Sequence, residues 1–296
     1  ISSFNSISLL LALVALTVGM YFDGLRLQRL VKIGGYKLSI KAVLRVIFSN
    51  YFMAMLTPGA SGGAVAQVLV LRSYGVPISK GTPIVLIRTV FSIMFLVIML
   101  PFVFLRDAIE IPYISRDMLL IFAVVSVIAM LVGTYILQTK YMRQFVYNLA
   151  QRFKAHKTKD WLSKLETLNQ GLGLLYKEPI QSFIVFIESG LSLLSLYCIA
   201  PALMYAFTPD IPIIDILDRM ILLNLILYFA PTPGGTGIAE GLFVVLFSTF
   251  VPNGTVGIVA VAWRVMAEYL PFFIGMYAVL TLYGRQFVAQ ETSTEQ

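Results

Sequence analysis

Five ionisable side chains, Arg88, Glu188, Glu240, Arg264 and Glu268, fall inside long apolar stretches of this 296-residue chain. At the centre of a membrane helix such a residue costs about 3 kcal/mol on insertion scales, so it should face a cavity or find a partner. Arg88 and Arg264 could hold an anion by charge and forked hydrogen bonds. Glu240, eight residues after Thr232, could bind a cationic head group, accept a proton or clamp backbone N–H groups. Glu188 shares a polar helix face with Ser182, Ser189, Ser192 and Ser195, a face expected to look inward. A plainer reading stays open: Arg264 and Glu268, at i and i+4, could neutralise each other, and Arg88 could pair with Glu240. Other chemistry is excluded. The single histidine, His156, leaves no Ser-His-Asp triad or multi-histidine metal site, and the single cysteine, Cys198, leaves no internal disulfide or cysteine zinc site. No metal or cofactor is expected.

Two short motifs accompany these charges. "TPGASGG" (Thr57–Gly63) and "TPGGTGI" (Thr232–Ile238) share the threonine, the proline and the first glycine. A small hydroxyl residue then follows at Ser61 and Thr236, and a glycine at Gly62 and Gly237. Arg88 comes 31 residues after Thr57, and Arg264 comes 32 after Thr232. Shared spacing over such a distance points to an internal repeat. The candidate binding residues are therefore Thr57, Pro58, Gly59, Ser61, Gly62, Gly63, Arg88, Glu188, Thr232, Pro233, Gly234, Gly235, Gly237, Glu240 and Arg264. The glycines Gly62–Gly63 and Gly234–Gly235 would let a ligand approach the backbone. The alternative is that Pro-Gly pairs merely allow turns or tight helix packing.

The elements that must position these residues are membrane helices. The chain is 58% hydrophobic and 12% charged, about half the charge of a soluble domain, and its mean hydropathy is +0.86. Its net charge of +7 lies beside apolar runs, which fits anionic lipid rather than nucleic acid. Five runs approach the ~20 residues a bilayer requires: roughly Phe4–Phe22, Pro83–Leu105, Met118–Leu137, Ile180–Phe207 and Val256–Tyr283. Residues 23–45 carry six Lys/Arg against one acid, and residues 138–178 carry eight against three, so both loops are predicted to be cytoplasmic. The acidic stretches Arg106–Asp117 and Thr208–Arg219 are predicted outside. Ala42–Leu71 must then enter and leave on the inside, and Met220–Phe250 on the outside. Each is broken by Pro and Gly into halves too short to span, which predicts re-entrant hairpins.

The fold class that follows is all-α: a polytopic membrane protein with about five full spans and two re-entrant helical hairpins in an inverted-topology repeat. Repeat 1 covers about 4–105, a connecting span and cytoplasmic loop about 117–178, repeat 2 about 180–284, and a polar, disordered tail 285–296. In that loop Met142, Phe145, Val146, Leu149 and Phe153, then Trp161, Leu162, Leu165 and Leu168, recur at helical spacing. They predict surface amphipathic helices or a solvated connector packed on the spans. The first residue is isoleucine, so preceding sequence is expected. The positive charges follow the first apolar run instead of leading it, which argues against a signal peptide.

"TPGASGG", "VLVLRSYGVPISKG", Arg88, "PTPGGTGIAEG" and "WRVMAEYLPFFIG" together resemble the transmembrane, flippase-like region of lysylphosphatidylglycerol synthases and its stand-alone relatives, from about Leu25 to Gly284. Relatives often carry an acid just after the first motif's glycines, where this chain has Ala64. They usually have another span before the first one here. The resemblance implies a lipid translocase. Full-length synthases add a soluble aminoacyl-transfer domain not seen in this sequence, so aminoacyl-lipid synthesis is not expected. The expected ligands are anionic or aminoacylated phospholipids or polyprenyl-phosphate-type lipids, in a prokaryotic plasma membrane. A lipid-modifying enzyme partner and a homodimer are further expectations. Two rival classes remain: a membrane scaffold for a lipid-modifying or glycosyl-transferring partner, and an intramembrane enzyme using Glu240 or Glu188 as acid or base.

Overall fold

The computed structural model describes residues 6–106, 116–137, 173 and 178–294. These are all-helical: α1 (Ser6–Ile33), α2 (Ile40–Leu56), α3 (Ser61–Ser73), α4 (Ile78–Leu105), α5 (Arg116–Leu137), α6 (Pro179–Tyr197), α7 (Ile199–Met204), α8 (Ile213–Leu227), α9 (Ile238–Phe247), α10 (Val256–Arg264), a π-helical turn (Val265–Tyr269) and α11 (Leu270–Thr294). Among the described residues four helical stretches are long and apolar enough to cross a bilayer: Ile7–Ile33, Ile78–Leu105, Pro179–Met204 and Val256–Leu282. The expected span Met118–Leu137 is also a helix, of which Asp117–Met130 is the apolar part. The amphipathic stripe at 142–168 lies outside the described residues. The predicted tail from 285 differs: α11 continues to Thr294.

The first helix departs most from expectation. The spacing of charges assigns 23–45 to a loop, yet α1 continues to Ile33. Asp23 and Arg26 are buried on its inner face. The physical reason is pairing, since a charge with a partner need not reach water.

Each helix break has a local cause. Ser39 caps α2, its hydroxyl accepting from the Ala42 N–H at 3.3 Å. Pro58 follows Thr57, the residue at which α2 leaves helical geometry, as X-Pro sequences favour, whereas α8 has already ended at Leu227, before Thr232 and Pro233. Gly59 and Gly234 then take the same left-handed φ of 59°, a region in which only glycine is unstrained. The outcome is two antiparallel helix pairs. In α2–α3 the open end is closed by Arg45 donating to the Tyr74 hydroxyl at 2.6 Å. In α8–α9 it is closed by Arg219 donating to the Leu246 carbonyl at 2.5 Å, with the guanidinium 4.6 Å from the Phe250 ring centroid.

Around these pairs the long helices pack closely. α1 and α6 run antiparallel, with Gly19 against Leu196 and the Ser192 hydroxyl donating to the Gly19 carbonyl at 2.9 Å. α4 lies beside both: Phe91 meets Phe186 edge to face, Phe95 meets it at a tilt, and Phe95 fills the space at Gly190. Gly275 of α11 meets the α2 backbone at Phe48. On the other side Phe243 of α9 stacks on Trp263 of α10 at 5.0 Å.

Candidate functional site

The two Thr-Pro-Gly turns touch. Pro58 and Pro233, equivalent positions of the two motifs, pair antiparallel in an isolated backbone bridge. Proline has no backbone N–H, so the pairing rests on the neighbouring residues. Within each turn the same bond recurs: Ser61 donates to the Pro58 carbonyl at 3.1 Å, and Thr236 to the Pro233 carbonyl at 2.8 Å. Pro58, Gly59 and Ser61 on one side, and Pro233, Thr236 and Gly237 on the other, stay exposed.

The candidate residues divide at this point. Gly62 and Gly63 do not present backbone to a ligand. They are buried against α2, where a side chain on Gly62 would strike Thr57 and one on Gly63 would strike Asn50. Thr57 staples the turn by donating to the Met53 carbonyl and accepting from the Gly62 N–H, both at 2.8 Å. Thr232, its counterpart, keeps a buried hydroxyl with no hydrogen-bond partner among the described residues. Gly235 packs on Leu227, while Gly237 has open space beside it.

Each arginine ties its own helix pair to the body. Arg88 is 7% exposed. It donates to Gln67 of α3 at 2.6 Å and forks onto Asp23 of α1, by Nε to Oδ1 at 3.2 Å and by Nη2 to Oδ2. Gln67 donates onward to Asn50 of α2 at 2.7 Å. Asp23 also accepts from Arg26 at 2.5 Å, and Arg26 donates to Ser92 at 2.8 Å. Arg264 is 1% exposed. Its Nε donates to Glu240 at 2.8 Å, its Nη2 donates to the Gly234 carbonyl at 2.9 Å, and its Nη1 pairs with Glu268. The second oxygen of Glu240 accepts from the Gly237 N–H at 2.7 Å, which fastens the start of α9. Thus the i, i+4 pair of Arg264 and Glu268 forms, whereas Arg88 pairs with Asp23 and not with Glu240.

Glu188 is elsewhere. It faces α1, where Arg29 forks onto it at 2.8 to 3.1 Å and also donates to Gln181 at 2.7 Å. Of its serine stripe, Ser182, Ser189 and Ser192 are buried, Ser192 against α1, whereas Ser195 is only half-buried and bonds back to the Leu191 carbonyl. Sequence reasoning missed Asp23, Arg26, Arg29, Asn50 and Gln67. The available signal was a lone acid among six cations in 23–45, and two amides in otherwise apolar hairpin arms. Among the described residues no three His, Cys, Asp or Glu side chains gather as a metal site.

Residues 1–275 match the family described as the lysylphosphatidylglycerol synthase TM region, so the chain belongs to that family, as the motifs indicated. A UPF0104 membrane protein of Archaeoglobus fulgidus is 23% identical over 268 residues, covering 86% of this chain and 80% of the archaeal one.

Proposed function

We propose that this member of the lysylphosphatidylglycerol synthase transmembrane-region family is a translocase of the prokaryotic plasma membrane, carrying an anionic or aminoacylated lipid head group between leaflets. One observation carries the reading: the hairpin tips meet while their open ends adjoin opposite ends of α4. The α2–α3 pair leads directly into Ile78 at the start of α4. The α8–α9 pair is tied to the far end of α4 by Arg106 and Asp218 at 3.3 Å. A helix that crosses the bilayer has its ends on opposite faces. Hairpins anchored there would enter from opposite sides and meet near the middle, the arrangement of inverted-repeat carriers. The exposed turn residues Pro58, Gly59, Ser61, Pro233, Thr236 and Gly237 would line the head-group path. Arg88 and Arg264 would set its field from behind. Parting of the tips would open it to one leaflet at a time.

Purified protein in liposomes containing labelled phosphatidylglycerol, lysyl-phosphatidylglycerol or polyprenyl phosphate tests this. We expect protein-dependent movement of at least one of them. Antiparallel partners lie about 4.5–5.5 Å apart at Cα, within disulfide reach. Pro58→Cys with Pro233→Cys, in a Cys198→Ala background, should therefore cross-link on oxidation, stop movement and recover on reduction. If none of the three lipids moves, or the cross-linked protein moves lipid at the free rate, the reading falls.

A further inference from the structure

The two arginine centres carry opposite surplus charge. In the first, one carboxylate, Asp23, serves two guanidiniums, Arg26 and Arg88. In the second, one guanidinium, Arg264, serves two carboxylates, Glu240 and Glu268. With ordinary ionisation the first centre has one positive charge too many and the second one negative charge too many. The pair Arg29–Glu188 is neutral by itself. Arg106–Asp218 is likewise a one-to-one pair, so among the described ion pairs these two centres offset each other.

Tyrosines lie near the two centres. Tyr51 of α2 lies within electrostatic reach of Asp23, Arg26 and Arg88 on one side and of Glu268 on the other. Tyr228, at the end of α8, reaches Ser92, the acceptor of Arg26. Tyr197 is 4% exposed, lies near Arg26, Tyr51 and Tyr228, and its hydroxyl has no hydrogen-bond partner. A buried hydroxyl without a partner is rare and leaves a hydrogen bond for a polar guest to make. Beside the cationic centre, an O–H with no acceptor among the described residues suits an anionic oxygen.

An anion seated there consumes the surplus positive charge. The second centre's extra negative charge is then uncompensated in a medium where such a charge is neutralised rather than tolerated. Its two carboxylates are not equivalent. Both oxygens of Glu240 are engaged, and protonating it would release the Gly237 N–H at the tip. Glu268 is held only through Arg264 among the described residues, and it sits in the π-helical turn. Single π turns recur at functional positions. The groups facing Glu268 are Arg264 and Tyr269 on its own helix, Glu240 from α9 and Tyr51 from α2; Asp23 and Arg26 of α1 flank Tyr51 from the other side.

We propose that Glu268 takes up one proton when a singly charged anionic head group enters beside Arg26 and Arg88, so that anion and proton cross together. The step is electroneutral: one anion and one proton enter, and both leave on release. It rests on the translocase reading and adds its coupling ion.

The test uses the full chain in detergent, in weakly buffered solution with a pH-indicator dye, and short-chain phosphatidylglycerol as the probe. Short-chain phosphatidylcholine is the control. We expect uptake of about one proton per bound phosphatidylglycerol and none with the control. A protonated-carboxyl infrared band should appear on binding. Glu268→Gln should bind the probe and lose both signals. Binding of the probe to wild-type protein without proton uptake or the infrared band overturns the proposal and leaves translocation standing; this arm needs no variant to fold. Uptake undiminished in Glu268→Gln also overturns it. Failure of the probe to bind at all overturns this proposal and counts against phosphatidylglycerol as the cargo.

Discussion

The two helix pairs turn on motifs identical at four of seven positions and are closed in different ways. The α2–α3 turn is stitched by Thr57 and packed through Gly62 and Gly63 onto α2. Its arginine, Arg88, reaches it through a neutral amide, Gln67. The α8–α9 turn runs through three left-handed glycines, Gly234, Gly235 and Gly237. Its threonine hydroxyl is unpaired among the described residues, and one ion pair, Arg264–Glu240, fastens it. The difference teaches that a shared motif specifies a bend, whereas the neighbours decide how firmly the bend is held. The first pair is held by packing and neutral hydrogen bonds, the second mainly by an ion pair.

Three paired substitutions sharpen or break this contrast, each read by thermal or denaturant unfolding of the purified protein. The largest effect should come from the arginines. Arg264→Ala strands two carboxylates and should cost about 3–5 kcal/mol, the usual loss when one partner of a buried pair is removed. Arg88→Ala should cost distinctly less, because Asp23 keeps Arg26. Equal losses would remove the asymmetry. Next come the glycines. Gly63→Ala places a methyl 3.0 Å from the Asn50 carbonyl and 3.1 Å from Ala54, and overpacking of that kind costs about 1–3 kcal/mol. Gly241→Ala, inside α9 with open space around it, should stabilise by about 0.5–1 kcal/mol through helix propensity. If both destabilise alike, the second pair is as tightly packed as the first. The smallest effect distinguishes the threonines. Thr57→Val removes two hydrogen bonds and should lose about 1 kcal/mol or somewhat more. Thr232→Val removes a hydroxyl that bonds nothing among the described residues and should be neutral or mildly stabilising. A loss at Thr232 matching that at Thr57 would mean its hydroxyl is in use.

Much of the local structure was legible in the residues. Pro58 and Pro233 mark the bends, and Gly59 and Gly234 take the φ that the turn demands. The matched threonine-to-arginine spacing marked Arg88 and Arg264 as counterparts; the structure sets Arg88 against Gln67 and Arg264 against Gly234, each in its own hairpin. The end of the first span was not legible. Counting cations treats every Lys and Arg as seeking water, so 23–45 read as a loop. Arg26 instead turns to Asp23 and Ser92, and Arg29 to Glu188, 159 positions away. Gly62 and Gly63 illustrate the same limit. A glycine pair that could admit a ligand can equally admit a neighbouring helix, and here α2 occupies the space.

By itself the sequence determined that the chain is a membrane-embedded helical protein and that two of its helix breaks carry matching Thr-Pro-Gly motifs. These are local matters of hydropathy, proline's missing N–H and glycine's freedom, and they act within a few residues. Only the tertiary structure decided which charge meets which. Asp23 lies 65 positions from Arg88, and Pro58 lies far along the chain from Pro233, yet each pair is in contact. Ion pairing and burial are non-local: in a low-dielectric interior a charge takes whichever partner the packing of α1, α4 and the two hairpins brings within reach.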